Sequence, residues 1–295
     1  MTAHATEPRL EFVQCLDALG LHKMAYWEWG ERDNPHVVVC VHGLSRQGRD
    51  FDTLARALSS RYRVICPDVV GRGRSDWLTD PMGYQVPAYV SDMVTLVARL
   101  GVHHVDWVGT SMGGLIGMGL AALHNTPIRK LVLNDVGPRL QPEALARIGE
   151  YLGLPMRFKD LDEAAEYLAS ISTGFGKFTH EQWLELTRPM LKAVDDGPGL
   201  QLHYDPAIGV PFKAMTPEMA AVAEQMLWQR YDSIHCQTLL LRGADSDLLT
   251  RETAEEMTRR GPKAHLHEFA GVGHAPMFVA DNQVAVVRDF LLGAA

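Results

Sequence analysis

The stretch Val105-Asp106-Trp107-Val108-Gly109-Thr110-Ser111-Met112-Gly113-Gly114-Leu115 constrains this chain more than any other. A short apolar run enters Gly-x-Ser-x-Gly, and a small-residue helical pattern follows. That order predicts a strand, a sharp turn and a helix, with Ser111 at the apex. So tight a turn leaves no room for bulk two positions before or after the serine, and Gly109 and Gly113 meet that demand. Gly114, Gly117 and Gly119 continue the small surface, so the helix can lie close to the strands. The Ser111 hydroxyl is lifted clear of the backbone at the positive end of a helix. The competing reading, a glycine-rich packing turn with a bystander serine, lacks a reason for the strand and helix patterns on either side.

The rest of the chain repeats the alternation. Leu10–Asp17 and His22–Gly30 read as two edge strands joined by a turn at Leu19-Gly20. His36–Val41 is a continuous β-branched run, typical of a strand buried on both faces, and it ends in His42-Gly43-Leu44-Ser45. Phe51, Leu54, Ala55 and Leu58 recur at helical spacing. Tyr62–Pro67 is another short strand, followed by Asp68-Val-Val-Gly71-Arg-Gly73-Arg-Ser75. Tyr89, Met93, Leu96, Val97 and Leu100 mark a second amphipathic helix, and Lys130–Leu133 a strand after the Ser111 unit. Strands alternating with helices predict an α/β fold with a doubly wound, mostly parallel sheet.

After Asn134-Asp135-Val136-Gly137-Pro138 the alternation stops. Helices are expected over Gln141–Leu152, Leu161–Ile171, His180–Val194 and Pro217–Tyr231, separated by proline and glycine breaks. Strand, helix and strand resume at Gln237–Arg242, Thr250–Arg260 and Ala264–Phe269, before a last helix with Val284, Val287, Phe290 and Leu291. We read 1–138 and 236–295 as one α/β core and 139–235 as an inserted helical cap.

Composition narrows the partners. A formal net charge of −8 and a pI near 5.9 disfavour nucleic acid and anionic membranes. No apolar run resembles a leader or a membrane span, and no Cys-x-x-Cys occurs among the four cysteines, so a cytoplasmic protein is expected, with no disulfide framework and no zinc ribbon. The sequence leaves the oligomeric state open.

A serine needs a base to become a nucleophile, and the base needs an orienting acid. Gly271-Val-Gly-His274 puts a histidine in a loop directly after the last predicted strand. Arg242-Gly-Ala-Asp245-Ser-Asp247 puts carboxylates after the strand before it. Loops that follow parallel strands share one sheet edge, so residues 136 and 163 positions beyond Ser111 can converge there.

With these residues in view, the chain resembles the α/β-hydrolase superfamily over essentially its full length, on His42-Gly43, Asp68-x-x-Gly71-x-Gly73-x-Ser75, Gly109-x-Ser111-x-Gly113, the Gly-x-Asp-Ser-Asp loop and Gly273-His274. The resemblance implies a catalytic set of Ser111, Asp247 and His274. It also implies an oxyanion hole formed by the backbone N–H groups of Leu44 and Met112. Asp245 and Asp135 stay open as alternatives for the acid; some family members carry it after the sixth strand, where Asp135 stands. Relatives that open epoxides or displace halide carry aspartate at the elbow, so a serine there points to acyl transfer to water from a small-molecule ester. The chain is also similar to bacterial carboxylesterases that hydrolyse aliphatic polyesters. A broad carboxylesterase on neutral short-to-medium acyl esters, polyester oligomers included, is the reading adopted. Thioesterase, lactonase, carbon–carbon hydrolase and cofactor-free haloperoxidase are the alternatives on the same residues. A non-catalytic binding protein would be expected to have lost an elbow glycine or a triad member, and none is lost.

No cofactor and no metal are expected. His265 and His267 alternate on one strand face without a third ligand nearby. His42 is expected to shape its loop rather than react. Arg72 and Arg74 evoke phosphate, but the phosphate-loop lysine pattern is absent. The segment 139–235 holds nine Lys and Arg against fourteen Asp and Glu. It shows no basic cluster for a phosphate or a coenzyme A nucleotide, while its methionines suit varied apolar shapes.

Overall fold

The computed structural model describes residues 7–293. Strands β1 (Arg9–Leu16) and β2 (Leu21–Trp29) form the edge hairpin, followed by β3 (Val37–Val41), α1 (Asp52–Leu58), β4 (Arg63–Pro67), α2 (Val86–Leu100), β5 (Val105–Thr110), α3 (Met112–Ala121) and β6 (Ile128–Asn134). The middle of the chain holds α4 (Pro142–Tyr151), β7 (Arg157–Phe158), α5 (Leu161–Ile171), α6 (His180–Thr187), β8 (Leu191–Ala193), β9 (Leu200–Leu202), α7 (Gly209–Lys213) and α8 (Pro217–Asp232). It closes with β10 (Gln237–Gly243), α9 (Arg251–Met257), β11 (His265–Phe269) and α10 (Asp281–Leu292).

The main sheet runs β1-β2-β4-β3-β5-β6-β10-β11. The β1–β2 and β2–β4 pairs are antiparallel and every other neighbour pair is parallel, as the alternation predicted. Side chains alternate across a strand, and the core divides accordingly. Val37, Val39 and Val41 of β3 face one apolar cluster with α2 and α3, while Val38 and Cys40 face another with α1 and α10. All five residues of β3 are buried, which explains its unbroken apolar run.

Between β6 and β10 the chain leaves the sheet. Two expectations need correction there. The segment is not helical throughout, because β7, β9 and β8 form a small antiparallel sheet. The helix expected over His180–Val194 ends at Thr187. Pro189 lacks the N–H that the next turn of helix needs, so Arg188–Met190 tightens into a 3₁₀ turn and Leu191–Ala193 pairs with β9 instead. Among the described residues no helix is long and apolar enough to cross a membrane.

Candidate active site

The turn at the end of β5 sets the position of Ser111. Its φ of 51° is unusual for a residue with a side chain, and α3 starts one residue later. The glycines around it are required by contact. A β-carbon on Gly109 would strike the carbonyl of Gly113, and one on Gly113 would strike the carbonyl of Val41 in the neighbouring strand. The serine N–H donates to the Asn134 carbonyl at 3.0 Å, tying the elbow to the end of β6. The Asn134 side chain donates to Thr110 Oγ1 at 3.0 Å and to the Pro276 carbonyl at 2.7 Å. One buried amide thus links the ends of β5 and β6 to the loop carrying His274.

His274 lies with Nε2 3.1 Å from Ser111 Oγ and Nδ1 2.7 Å from Asp135 Oδ2. A carboxylate can only accept, so Nδ1 carries the proton and Nε2 faces the serine hydroxyl as an acceptor. Asp135 follows β6 directly and has a φ of 54°. Its side chain is fully buried and accepts three hydrogen bonds. Besides His274, the Gly243 N–H donates at 2.8 Å and the Ser246 hydroxyl at 2.5 Å. A buried carboxylate is tolerable only when so satisfied.

The expectation that Asp247 orients His274 is corrected by this geometry. Asp247 is exposed and pairs with Arg147 at 2.7 Å, and Asp245 is also exposed. The late carboxylate loop does reach the site, but through Ser246, the residue between them. The signal for Asp135 was its place directly after a central strand. Nothing in the spacing ranked it above Asp247.

Behind the serine, three buried groups brace the His42–Leu44 loop. His42 Nε2 accepts from the Val69 N–H at 2.9 Å, while Nδ1 lies 2.7 Å from the Gly43 carbonyl. Burial pushes His42 down to about 3, so it stays neutral and holds two loops together. Asp68 accepts from the N–H groups of Gly48 at 2.7 Å and Arg74 at 2.8 Å, and burial pushes its carboxyl up to about 6. Arg72 is the residue that sequence reasoning missed. It is completely buried, donating Nε to the Leu44 carbonyl at 2.8 Å and Nη1 to the Val70 carbonyl at 2.7 Å and the Tyr89 hydroxyl at 3.0 Å, while Nη2 lies 3.6 Å from Met112 Sδ. It therefore touches both Leu44 and Met112. Among the described residues neither of their N–H groups is taken up by a backbone carbonyl.

The pocket over Ser111 and His274 is walled by Phe51, Met277 and Phe278 of the sheet side and by Ile148, Leu168 and Phe175 of the middle segment. Arg46 and Arg147 also reach it. His265 and His267 are exposed on β11. The one group among the described residues with metal-ligand spacing is Cys15, His22 and Asp92, whose donor atoms lie within 4.8 Å of one another at the β1–β2 edge, far from Ser111 in strand order. There His22 Nε2 meets Asp92 Oδ2 at 3.0 Å, pinning the hairpin to α2.

Residues 38–289 match the profile of the alpha/beta hydrolase family. The chain is 58% identical over 292 residues to a 3-hydroxybutyrate-oligomer hydrolase of Cupriavidus necator, covering 98% of this chain and 100% of that one. It is 27% identical to a 2-hydroxy-6-oxo-2,4-heptadienoate hydrolase of Pseudomonas putida over 86% of this chain and 88% of the other. Among solved structures, an alpha/beta hydrolase from Novosphingobium aromaticivorans is similar at a TM-score of 0.84 and 33% identity, covering 97% of this chain and 98% of that one.

Proposed function

The chain belongs to the alpha/beta hydrolase family, and on that premise we propose that it is a serine hydrolase of carboxylic esters whose substrates are short oligomers of hydroxy acids. The observation that carries the reaction is the Ser111–His274–Asp135 relay of hydrogen bonds. The similarity to the oligomer hydrolase of Cupriavidus necator supports the substrate.

His274 Nε2 takes the Ser111 proton as Oγ bonds to the ester carbonyl carbon. The N–H groups of Leu44 and Met112 receive the oxyanion, each worth on the order of 10²–10³ in rate. Arg72 positions both donors from behind. The tetrahedral centre then expels the alcohol, which leaves with the proton from His274, and an acyl-Ser111 remains. Water repeats the sequence, giving its proton to His274 and releasing a carboxylic acid and free Ser111. Asp135 keeps the imidazole in the productive tautomer and steadies its positive charge. No cofactor enters these steps. Residues 139–235 act as the cap that closes over the acyl chain. Four free thiols suit a cytoplasmic setting.

A fluorophosphonate should label one residue, Ser111, by peptide mass mapping. Ser111→Ala should lower turnover of a 3-hydroxybutyrate trimer by on the order of 10⁴–10⁶-fold. An adduct elsewhere or an active alanine variant would overturn the assignment. A preference above about tenfold for the matched acyl-coenzyme A would make the protein a thioesterase.

A further inference from the structure

Asp247 is not part of the relay, yet it holds a cation that lines the pocket. Arg147 of α4 lines the same pocket as Ser111 and His274, beside Ile148 and Tyr151 on one helix face. Its Nε and Nη2 both donate to Asp247 Oδ2, at 3.0 and 2.7 Å. The side chains are 43% and 49% exposed, and pairs so wet are held weakly. The other arginine of the pocket wall differs. Arg46 donates Nε and Nη2 to the two oxygens of buried Asp50, at 2.6 and 2.8 Å. Parting that buried pair would strand a charge away from water. Of these two cations, Arg147 is the one free to exchange its partner.

A 3-hydroxy acid oligomer carries one carboxylate, on the alcohol side of its last ester bond. By ordinary bond lengths that carboxylate lies roughly 5 Å from the scissile carbonyl carbon. A substrate presenting its last ester to Ser111 therefore brings its charge into the same small pocket. A guanidinium matches a carboxylate in a planar fork, so the substrate would take over the bonds that Asp247 now accepts.

We propose that Arg147 receives the terminal carboxylate of the oligomer, with Asp247 as a placeholder that holds the guanidinium ready and yields to substrate. This rests on the ester-hydrolase reading above. It gives the protein a preference for oligomers with a free acid end, which the acidic composition of the cap does not foretell.

The test compares kcat/KM on a 3-hydroxybutyrate trimer as the free acid and as its methyl ester, for wild type, Arg147→Leu and Asp247→Asn. Arg147→Leu should lower the ratio of acid to methyl ester by on the order of 10–100-fold, chiefly through KM, as loss of a charged hydrogen bond does. Asp247→Asn should raise that ratio several-fold by removing the competing carboxylate. A ratio moved by neither substitution overturns the carboxylate assignment while leaving the hydrolase reading intact. A wild-type protein that cleaves neither trimer overturns the hydrolase reading itself, and this assignment with it.

Discussion

Replacing Asp135 by asparagine separates the observed relay from the arrangement expected around Asp247. As Ser111 attacks, His274 becomes an imidazolium 2.7 Å from the Asp135 carboxylate. At an effective dielectric near 20, unit charges at that separation attract by about 6 kcal/mol, equivalent to roughly 10⁴ in rate. The amide removes that charge. It also offers an N–H to a ring nitrogen that must itself donate, favouring the tautomer with its proton on Nε2, where the serine needs a base. The shape is nearly unchanged: the amide oxygen can still accept from the Gly243 N–H, and the Ser246 hydroxyl can rotate to accept from the amide N–H. Asp135→Asn should therefore lower kcat on p-nitrophenyl butyrate by about 10³–10⁴-fold with KM changing far less. Asp247→Asn should cost no more than about fivefold, the scale of an exposed ion pair. Thermal unfolding of both variants shows whether the fold has survived. A folded Asp135→Asn retaining more than a tenth of wild-type turnover would refute the relay, as would a larger loss at Asp247.

Arg72→Met removes the donor to the Leu44 carbonyl and should lower kcat by on the order of 10–100-fold, more than it raises KM; Arg72→Lys should recover part of it, as read by steady-state kinetics. The His42 case is fixed by sign. Its folded value, about 3, lies below the unfolded value near 6.5, so it favours the native state fully at neutral pH and loses that contribution as pH falls from about 6.5 to about 3. Denaturant titrations of wild type and His42→Gln should show the stability difference shrinking by about 1.4 kcal/mol per pH unit in that window. The raised Asp68 acts with the opposite sign between about 4 and 6, but it is common to both proteins and cancels in the difference. Gly109→Ala, whose methyl would strike the Gly113 carbonyl, should destabilise by about 1–3 kcal/mol or prevent folding, measured by the same titration.

The alternation of apolar strands with helices was legible because the central strands β3 and β4 are buried on both faces, while α1 and α2 bury one face each. The elbow was legible for a steric reason: Gly109 answers a contact within the turn, with the Gly113 carbonyl, and Gly113 answers the Val41 carbonyl of the strand beside it. His274 could be picked out because it follows the last strand of a sheet whose active edge is set by strand polarity. The acid could not be picked out by such rules. Asp135 and Asp247 both follow parallel strands at that edge, and chain separation does not say which side chain turns inward. That was decided by the left-handed backbone at Asp135, which buries its carboxylate under Gly243 and Ser246, and by Arg147 drawing Asp247 outward. Arg72 was hidden for a related reason. In sequence it is an arginine in a polar loop, and only the folded chain buries it completely, against Leu44 and Met112. The small sheet of the middle segment likewise depends on strands of two or three residues, too short to show a period: β8 and β9 pair as a hairpin, and β7 joins β9 from more than forty residues earlier in the chain.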